Sequence, residues 1–600
     1  MRRFVNAGSF GKPARTACFV EKNVISAFKK LLFVKKSAFR VLKKTGIYFI
    51  IIHYNSETVR NFTAQKGRRA QKAPRGDNMV FKILLLVLFF GVMIGVGLYC
   101  RRHATDVDGF VLGGRRVGPW LSAFAYGTSY FSAVIFIGYA GQFGWKYGIA
   151  STWIGIGNAV VGSLLAWVIL GRRTRVMTRH LGSSTMPDFF GKRFDSKGLK
   201  IGASIITFVF LIPYTASLYN GLSRLFEMAF NIDYVWCIVA MSVLTGIYVI
   251  AGGYMATAIN DFIQGIIMIG GIIAVIAAVL STNGGFTASL AAMANVNDAA
   301  VSESPGAFAS FFGPDPLNLF GVVVLTSLGT WGLPQMVQKF YAIKSEESIK
   351  KGTIISTLFA VIVAGGCYFL GGFGRLADIA TTTDASGALI PAAGYDSVLP
   401  GMLSKLPDLL IAVVVILVLS ASMSTLSSLV IASSSTLTID LLKGNIIKKM
   451  DEKRQVFIIR IFVVVFIAVS AIIAVYQVKS TDEAVKYIAQ LMGVSWGALA
   501  GAFLAPFLYG LYWKKTTKIA CWASFIFGAG IMVLNMLARG IFPSFLQSPI
   551  NCGAFAMIAG LIIVPVVSLF TKKQDKAAVD AMFACYDQKV EVSQKTSLTD

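Results

Sequence analysis

The chain has 600 residues, 55% of them hydrophobic and 14% charged, with a mean hydropathy of +0.68 and a formal net charge of +27. That balance excludes a soluble globular protein and marks an integral membrane protein. The seven Cys are scattered with no C-x-x-C pair and the three His (His53, His103, His180) lie outside the hydrophobic spans, which excludes a disulfide framework, a thiolate zinc site and a histidine proton relay.

Residues 1–78 hold 18 of the 56 Lys and Arg and only 3 of the 29 Asp and Glu, so much of the positive charge is local and is no nucleic-acid signal. This head has one apolar stretch, Thr45 to His53, too short to span a bilayer, and no small-residue cleavage site. Met79 opens a clean hydrophobic span, and a purine-rich, ribosome-binding-like sequence can encode Arg75-Gly76 just ahead of it. An over-long translation start is therefore the preferred reading of residues 1–78; a disordered basic arm touching anionic lipid is the alternative. A protein beginning at Met79 is expected to insert into the membrane and work normally, and loss of its membrane expression would show the head to be functional.

From Met79 to Phe570 the hydropathy predicts a transmembrane domain of thirteen spans, followed by a cytoplasmic tail, residues 571–600. The spans are Met79–Cys100, Pro119–Trp145, Ile149–Gly171, Ile201–Phe230, Tyr234–Ala251, Ile259–Leu280, Leu319–Val337, Thr353–Phe373, Leu409–Leu441, Val456–Val478, Ala484–Tyr512, Ile519–Leu537 and Ile550–Phe570. With the N-terminus outside and the C-terminus inside, the connecting segments on the inner side carry 29 Lys and Arg, Lys339 among them, and those on the outer side six. The long segment Ser281 to Asn318 has none and reads as external.

Two spans carry the same defect. The second contains Gly127-Thr128-Ser129-Tyr130-Phe131-Ser132 and the seventh Gly329-Thr330-Trp331-Gly332-Leu333-Pro334-Gln335, each interrupting a helix at mid-depth. Counted from the second span they are first and sixth of ten, and five helices apart they enter the membrane from opposite sides, as an inverted five-plus-five repeat of the LeuT type requires. Transporters built this way bind ligands at the unwound midpoints. On that count the two core repeats run over 119–280 and 319–512, with one helix before them and two after.

The ninth span carries six hydroxyls in the nine residues Ser420 to Ser428. A lone Ser satisfies itself on the carbonyl one turn back, but six together present converging oxygens on one stripe, where Ala421 stacks on Ser424 and Thr425 and Ser424 on Ser427 and Ser428. Neutral oxygens in a dry interior suit a small hard cation such as Na⁺. Small-residue helix packing uses the same residue types, so the run alone leaves both readings open.

Four motifs resemble those of the sodium:solute symporters, a family carrying proline, pantothenate, sugars and sialic acid. Val111 to Pro119 (VLGGRRVGP) is similar to the entry of that family's first core helix, and Gly252 to Gln264 (GGYMATAINDFIQ) to its central signature. Ala421 to Ser428 resembles its sodium-binding eighth core helix, and Tyr512-Trp513-Lys514-Lys515 with Thr517 the pattern after the tenth. The resemblance runs from about Gly109 to Gly528. It implies a multi-pass carrier in the cell membrane, with Na⁺ as coupling ion, a small-molecule solute, the lipid bilayer as surroundings, no nucleic acid and no obligatory protein partner.

Carried over by position, the resemblance implies a principal sodium site from the carbonyls of Thr128, Phe131 and Ala421 and the hydroxyls of Ser424 and Thr425. Some members hold a second Na⁺ through an acidic residue and three hydroxyls, matched here by Asp261, Ser424, Ser427 and Ser428. Asp261 stands at the start of its predicted span, where a solvated helix N-terminus is the competing reading. If the four do form a second site, sodium dependence should show a Hill coefficient above one.

Depth and polarity give the solute-pocket candidates Tyr130, Ser132 and Phe136 on the first core helix, Tyr214 and Asn220 on the third, and Thr330, Trp331 and Gln335 on the sixth. Proline carriers match at Gly329, Gly332 and Pro334, but their Trp and Tyr are Thr326 and Thr330 here, which disfavours proline specifically. Sugar carriers keep an Asn and a Gln where this chain has Tyr130 and Ile135, which disfavours a sugar. The expected solute is small and carboxylate-bearing: an amino acid such as proline, pantothenate or a monocarboxylate. Sugar or sialic acid uptake, or a solute sensor on the same scaffold, is the alternative.

One Na⁺ crossing 100 mV releases about 2.3 kcal/mol and a tenfold gradient about 1.4, enough to accumulate a neutral solute roughly 500-fold. A monoanion carried with one Na⁺ loses the voltage component, so an anionic solute would give a second sodium site its purpose. A receptor would need an output domain, a channel would line a continuous pore with charge rings, and no span pairs a nucleophile with a base, so enzyme chemistry is not expected.

Overall fold

The computed structural model describes residues 75–587 apart from 231, 444–445, 448–449 and 480–487. The basic head, residues 1–74, and residues 588–600 of the tail lie outside the described residues.

The described chain is mostly helical, and its apolar stretches are where the long helices form. They are α1 (Arg75–Cys100), α2 (Pro119–Tyr130), α3 (Ala140–Tyr147), α4 (Lys197–Phe230), α5 (Tyr234–Thr282), α6 (Pro316–Gly332), α7 (Pro334–Tyr341), α8 (Glu346–Ala360), α9 (Asp408–Thr436), α10 (Glu452–Lys479), α11 (Ile488–Tyr512), α12 (Lys518–Leu537) and α13 (Pro549–Phe570). A two-stranded antiparallel hairpin, β1 (Thr381–Thr383) and β2 (Leu389–Pro391), sits between α8 and α9 and pairs Thr382 with Ile390.

Ten helices among the described residues are long and apolar enough to cross a membrane, or eleven with the bent pair α6–α7. The expected thirteen spans are two more than eleven because two neighbouring pairs are each joined by a sharp backbone turn rather than a loop and so count as one long helical stretch. One pair is α5, 49 residues long. At about 1.5 Å per residue it is roughly twice the thickness of a bilayer core, and it turns at Gly253. Gly253 has φ 55° and ψ −152°, and a Cβ there would stand 2.8 Å from the Phe110 carbonyl oxygen, so only glycine fits. The other pair is Val134–His180, which contains π-helical turns.

Two sequence assignments change. Asp261 is not at the start of a helix but within α5, fully buried. Lys339 is not in a connecting loop: it lies inside α7 and is buried, because the helix restarts at Pro334 and carries it back into the protein.

The interior is set by close backbone approaches and by α9 and α11, both largely buried, while α1 and α10 keep exposed apolar residues such as Leu84, Leu98 and Ile472. A Cβ on Gly144 of α3 would lie 1.8 Å from the Gly371 carbonyl oxygen, so the helix after the first break and the helix ending at Gly371 touch backbone to backbone. At one end of α4, Lys200 bridges Asp188 at 2.7 Å and Asp440 at 3.2 Å, and the Thr185 hydroxyl donates to Asp440 at 2.6 Å. Lys200→Met leaves these buried carboxylates without their shared cation; since Lys192 still pairs Asp188 at 2.9 Å, a loss of about 2 kcal/mol is expected. A thermal melt in detergent checks it, and an unchanged midpoint would contradict it.

Candidate functional site

Both expected helix breaks are present. α6 ends at Gly332, Leu333 is extended (φ −83°, ψ 122°) and α7 restarts at Pro334 with a 45° bend. The proline ring excludes the helical conformation from the residue before it. α2 ends at Tyr130 and Phe131 is extended (φ −86°, ψ 127°) before the chain winds up again from Ala133. Gly127 is still helical and packs on the Phe359 ring, so this break falls at Phe131 and Ser132.

A broken helix leaves backbone groups without their usual partners, and in an apolar interior each needs another. The hydroxyls of α9 supply them. The Ala133 N–H donates to Ser422 Oγ at 3.2 Å, and the Thr425 hydroxyl has the carbonyls of Thr128 (3.3 Å), Phe131 (3.3 Å) and Ala421 (3.2 Å) within reach. Ser424 donates to Thr128 Oγ1 at 2.7 Å. Thr425 has one hydrogen for three acceptors. Three carbonyl oxygens and a hydroxyl oxygen thus converge where there is one donated proton, a deficit of positive charge that a small cation would fill. These are the residues expected at the principal sodium site.

The second expected constellation is assembled differently. Ser427 donates to the Ser424 carbonyl on its own helix at 2.9 Å, and Ser424 lies close to Asp261 while its hydroxyl is committed to Thr128. Lys339 Nζ donates to Ser428 Oγ at 2.8 Å and lies 3.7 Å from Asp261 Oδ2. Ser428 also meets Ser129 Oγ at 2.8 Å. In the sequence the Lys339 charge looks like a loop residue's, and the Ser129 and Ser422 hydroxyls, each taken alone, look self-satisfied, so none of the three announces its place here.

Of the solute candidates, Tyr130 and Tyr214 meet on a residue that the sequence alone does not single out. Trp496 of α11 has its ring 6.0 Å from that of Tyr130 and 5.8 Å, edge to face, from that of Tyr214. A Cβ on Gly329 would lie 2.8 Å from the Trp496 ring, so the indole stands between the two broken helices. Among the described residues, the buried Tyr130 and Tyr214 hydroxyls, Ser132 Oγ and Trp496 Nε1 make no hydrogen bond, although the Tyr214 hydroxyl lies close to both Ser132 and Trp496. Gln335 Oε1, just past the second break, is also buried without a partner. Buried polar atoms gathered at one aromatic wall, Tyr214 within reach of Ser132 and Trp496 while the Tyr130 hydroxyl and Gln335 Oε1 stay unbonded among the described residues, suit a polar ligand.

The other candidates are engaged elsewhere. Thr330 donates toward the Gly162 carbonyl at 3.0 Å, the Trp331 indole to the Val161 carbonyl at 2.9 Å, and the Phe136 ring packs on Phe131 at 6.4 Å. Asn220 bonds Tyr234 and Gln477, although its neighbour Gly221 packs against Ala133 beside the first break.

The profile of the sodium:solute symporter family matches residues 110–528. The chain is 28% identical over 512 residues to the osmoregulated proline transporter OpuE of Bacillus subtilis (strain 168), covering 83% of this chain and 96% of that one. It is 29% identical over 511 residues to a sodium/proline symporter of Staphylococcus aureus (strain JH9), covering 82% and 92%. A solved structure described as the substrate-bound outward-open state of a Na⁺-coupled sialic acid symporter aligns with a TM-score of 0.63 at 16% identity, over 82% of this chain and 98% of that one, a likeness of fold.

Proposed function

Because the chain belongs to the sodium:solute symporter family, we propose that it carries proline, or a close zwitterionic analogue, across the plasma membrane together with Na⁺. It is a sodium-coupled symporter, a multi-pass membrane protein and not an enzyme. The observation that carries the ion site is the single Thr425 proton facing three carbonyl oxygens at the first helix break. In this reading Na⁺ is held by the carbonyls of Thr128, Phe131 and Ala421 and the hydroxyls of Thr425 and Ser424, and holding it fixes α2 against α9.

The relatives named as proline transporters support the solute. Thr326 and Thr330, which stand where proline carriers have Trp and Tyr, turn their hydroxyls to the Val322 and Gly162 carbonyls. The aromatic surface those positions lack is supplied by Trp496, Tyr130 and Tyr214. A pyrrolidine ring suits that wall, and its ammonium and carboxylate suit the orphan hydroxyls and the polar helix ends at the breaks. Alternating access follows from rocking of the first, second, sixth and seventh core helices about this fixed point. The wider topology is thirteen crossings of five-plus-five design with the N-terminus out and the C-terminus in, supported by the Lys and Arg distribution and by the paired breaks.

The test of the solute is competition in proteoliposomes. Labelled L-proline uptake should be suppressed by excess unlabelled proline and little by pantothenate, short monocarboxylates or sialic acid at equal concentration. Stronger suppression by any of those three would reassign the solute.

A further inference from the structure

Asp261 is fully buried, and neither of its carboxylate oxygens accepts a hydrogen bond among the described residues. In an apolar interior a carboxylate needs a counter-charge, and what lies beside it is the Lys339 ammonium at 3.7 Å. That ammonium is itself held by Ser428 Oγ at 2.8 Å and by the face of the Tyr254 ring at 5.0 Å. Ser428 is one turn along α9 from Ser424 and Thr425, so the lysine brings a positive charge from α7, past the second break, to within a turn of the ion site at the first.

We propose that Lys339 is a tethered cation filling the place a second sodium ion would take between Asp261 and Ser428, so that one Na⁺ moves with each solute. The proposal rests on the sodium-coupled reading above and goes further by fixing its stoichiometry. The ammonium supplies what a bound Na⁺ would supply there: charge against the carboxylate, contact with a hydroxyl and a bond between α5, α7 and α9. Unlike an ion it neither loads nor leaves, so it does no work against the gradient. A zwitterionic solute is consistent with this, since it adds no net charge and one Na⁺ retains the whole voltage component.

The experiment counts sodium by equilibrium binding of ²²Na⁺ to the purified full chain in detergent, with the Na⁺-to-proline flux ratio read from the reversal potential in proteoliposomes. The wild type should bind one Na⁺ per chain and couple one to one, with a Hill coefficient near one. Lys339→Met uncovers Asp261 and should bind two. Lys339→Met with Asp261→Asn removes both charges and should return the count to one. Lys339→Arg, which keeps the charge, should bind one. Two sodium ions bound by the wild type would overturn the tethered cation and leave sodium coupling standing, and a wild-type chain that binds none would overturn the sodium reading itself. A folded Lys339→Met protein that still binds one would overturn the proposal; if that variant does not fold, the wild-type count decides alone.

Discussion

Thr425→Ala is expected to raise the sodium concentration for half-maximal uptake at least about tenfold, a loss of about 1.4 kcal/mol. The substitution removes the hydroxyl on which the carbonyls of Thr128, Phe131 and Ala421 converge, and leaves the break in the first core helix with neither its proton donor nor one of its cation ligands. Proline affinity at saturating Na⁺ should change little. Ser424→Ala should act in the same direction but less, because the Ser424 hydroxyl is shared between the ion and Thr128 Oγ1, while only the Thr425 hydroxyl has the three carbonyls within reach. Unchanged sodium dependence in both variants would remove the basis for this site.

Trp496→Ala should raise the half-saturating proline concentration about thirtyfold, or about 2 kcal/mol, the usual cost of deleting a buried aromatic anchor. Its indole touches Tyr130 and Tyr214 and backs onto Gly329, so truncation opens the wall between both breaks. Sodium binding measured without solute should stay within about twofold of the wild type, since Trp496 Nε1 makes no hydrogen bond to the ion-site oxygens among the described residues. Thr330→Ala is the comparison: its hydroxyl is turned to the Gly162 and Ser327 carbonyls, and its effect on proline affinity should be small. A larger effect from Thr330 than from Trp496 would place the solute elsewhere.

How far the sequence discloses this arrangement depends on the kind of signal each residue leaves. The second break is legible because Pro334 dictates an extended residue before it, wherever the surrounding helix packs. The first is legible only to within a turn. Gly127 looks like the weak point, yet its missing side chain makes room for Phe359, and the helix opens four residues later, where Ser422 and Thr425 of another helix take up the freed groups. That partnership joins residues nearly 300 positions apart and has no local signature. The hydroxyl run on α9 is legible because six hydroxyls exceed what their own helix can satisfy, and Ser427 and Ser428, which do bond the Ser424 carbonyl, show how much of it is self-satisfied.

Lys339 illustrates the opposite case. Charge counting takes every lysine near the end of an apolar stretch as a loop residue, and Lys339 lies four residues beyond Gln335 with Lys344 close behind it. Only the restart of the helix at Pro334 turns it inward to Asp261 and Ser428. Asp261 is hidden for a related reason: the chain does turn at Gly252-Gly253, as the sequence suggests, but the helix resumes directly after Gly253, so Asp261 lies two turns inside it and is buried rather than solvated at its start. Trp496 leaves no signal in its own helix that separates a solute wall from ordinary packing.

The most direct measurement of the central claim is a sodium jump on proteoliposomes loaded with potassium buffer and presented with labelled L-proline. An inward Na⁺ gradient should drive transient proline accumulation well above equilibrium, an inside-negative potential should increase it, and a sodium ionophore should abolish it. Proline uptake of the same rate and extent with choline in place of Na⁺ would contradict the account.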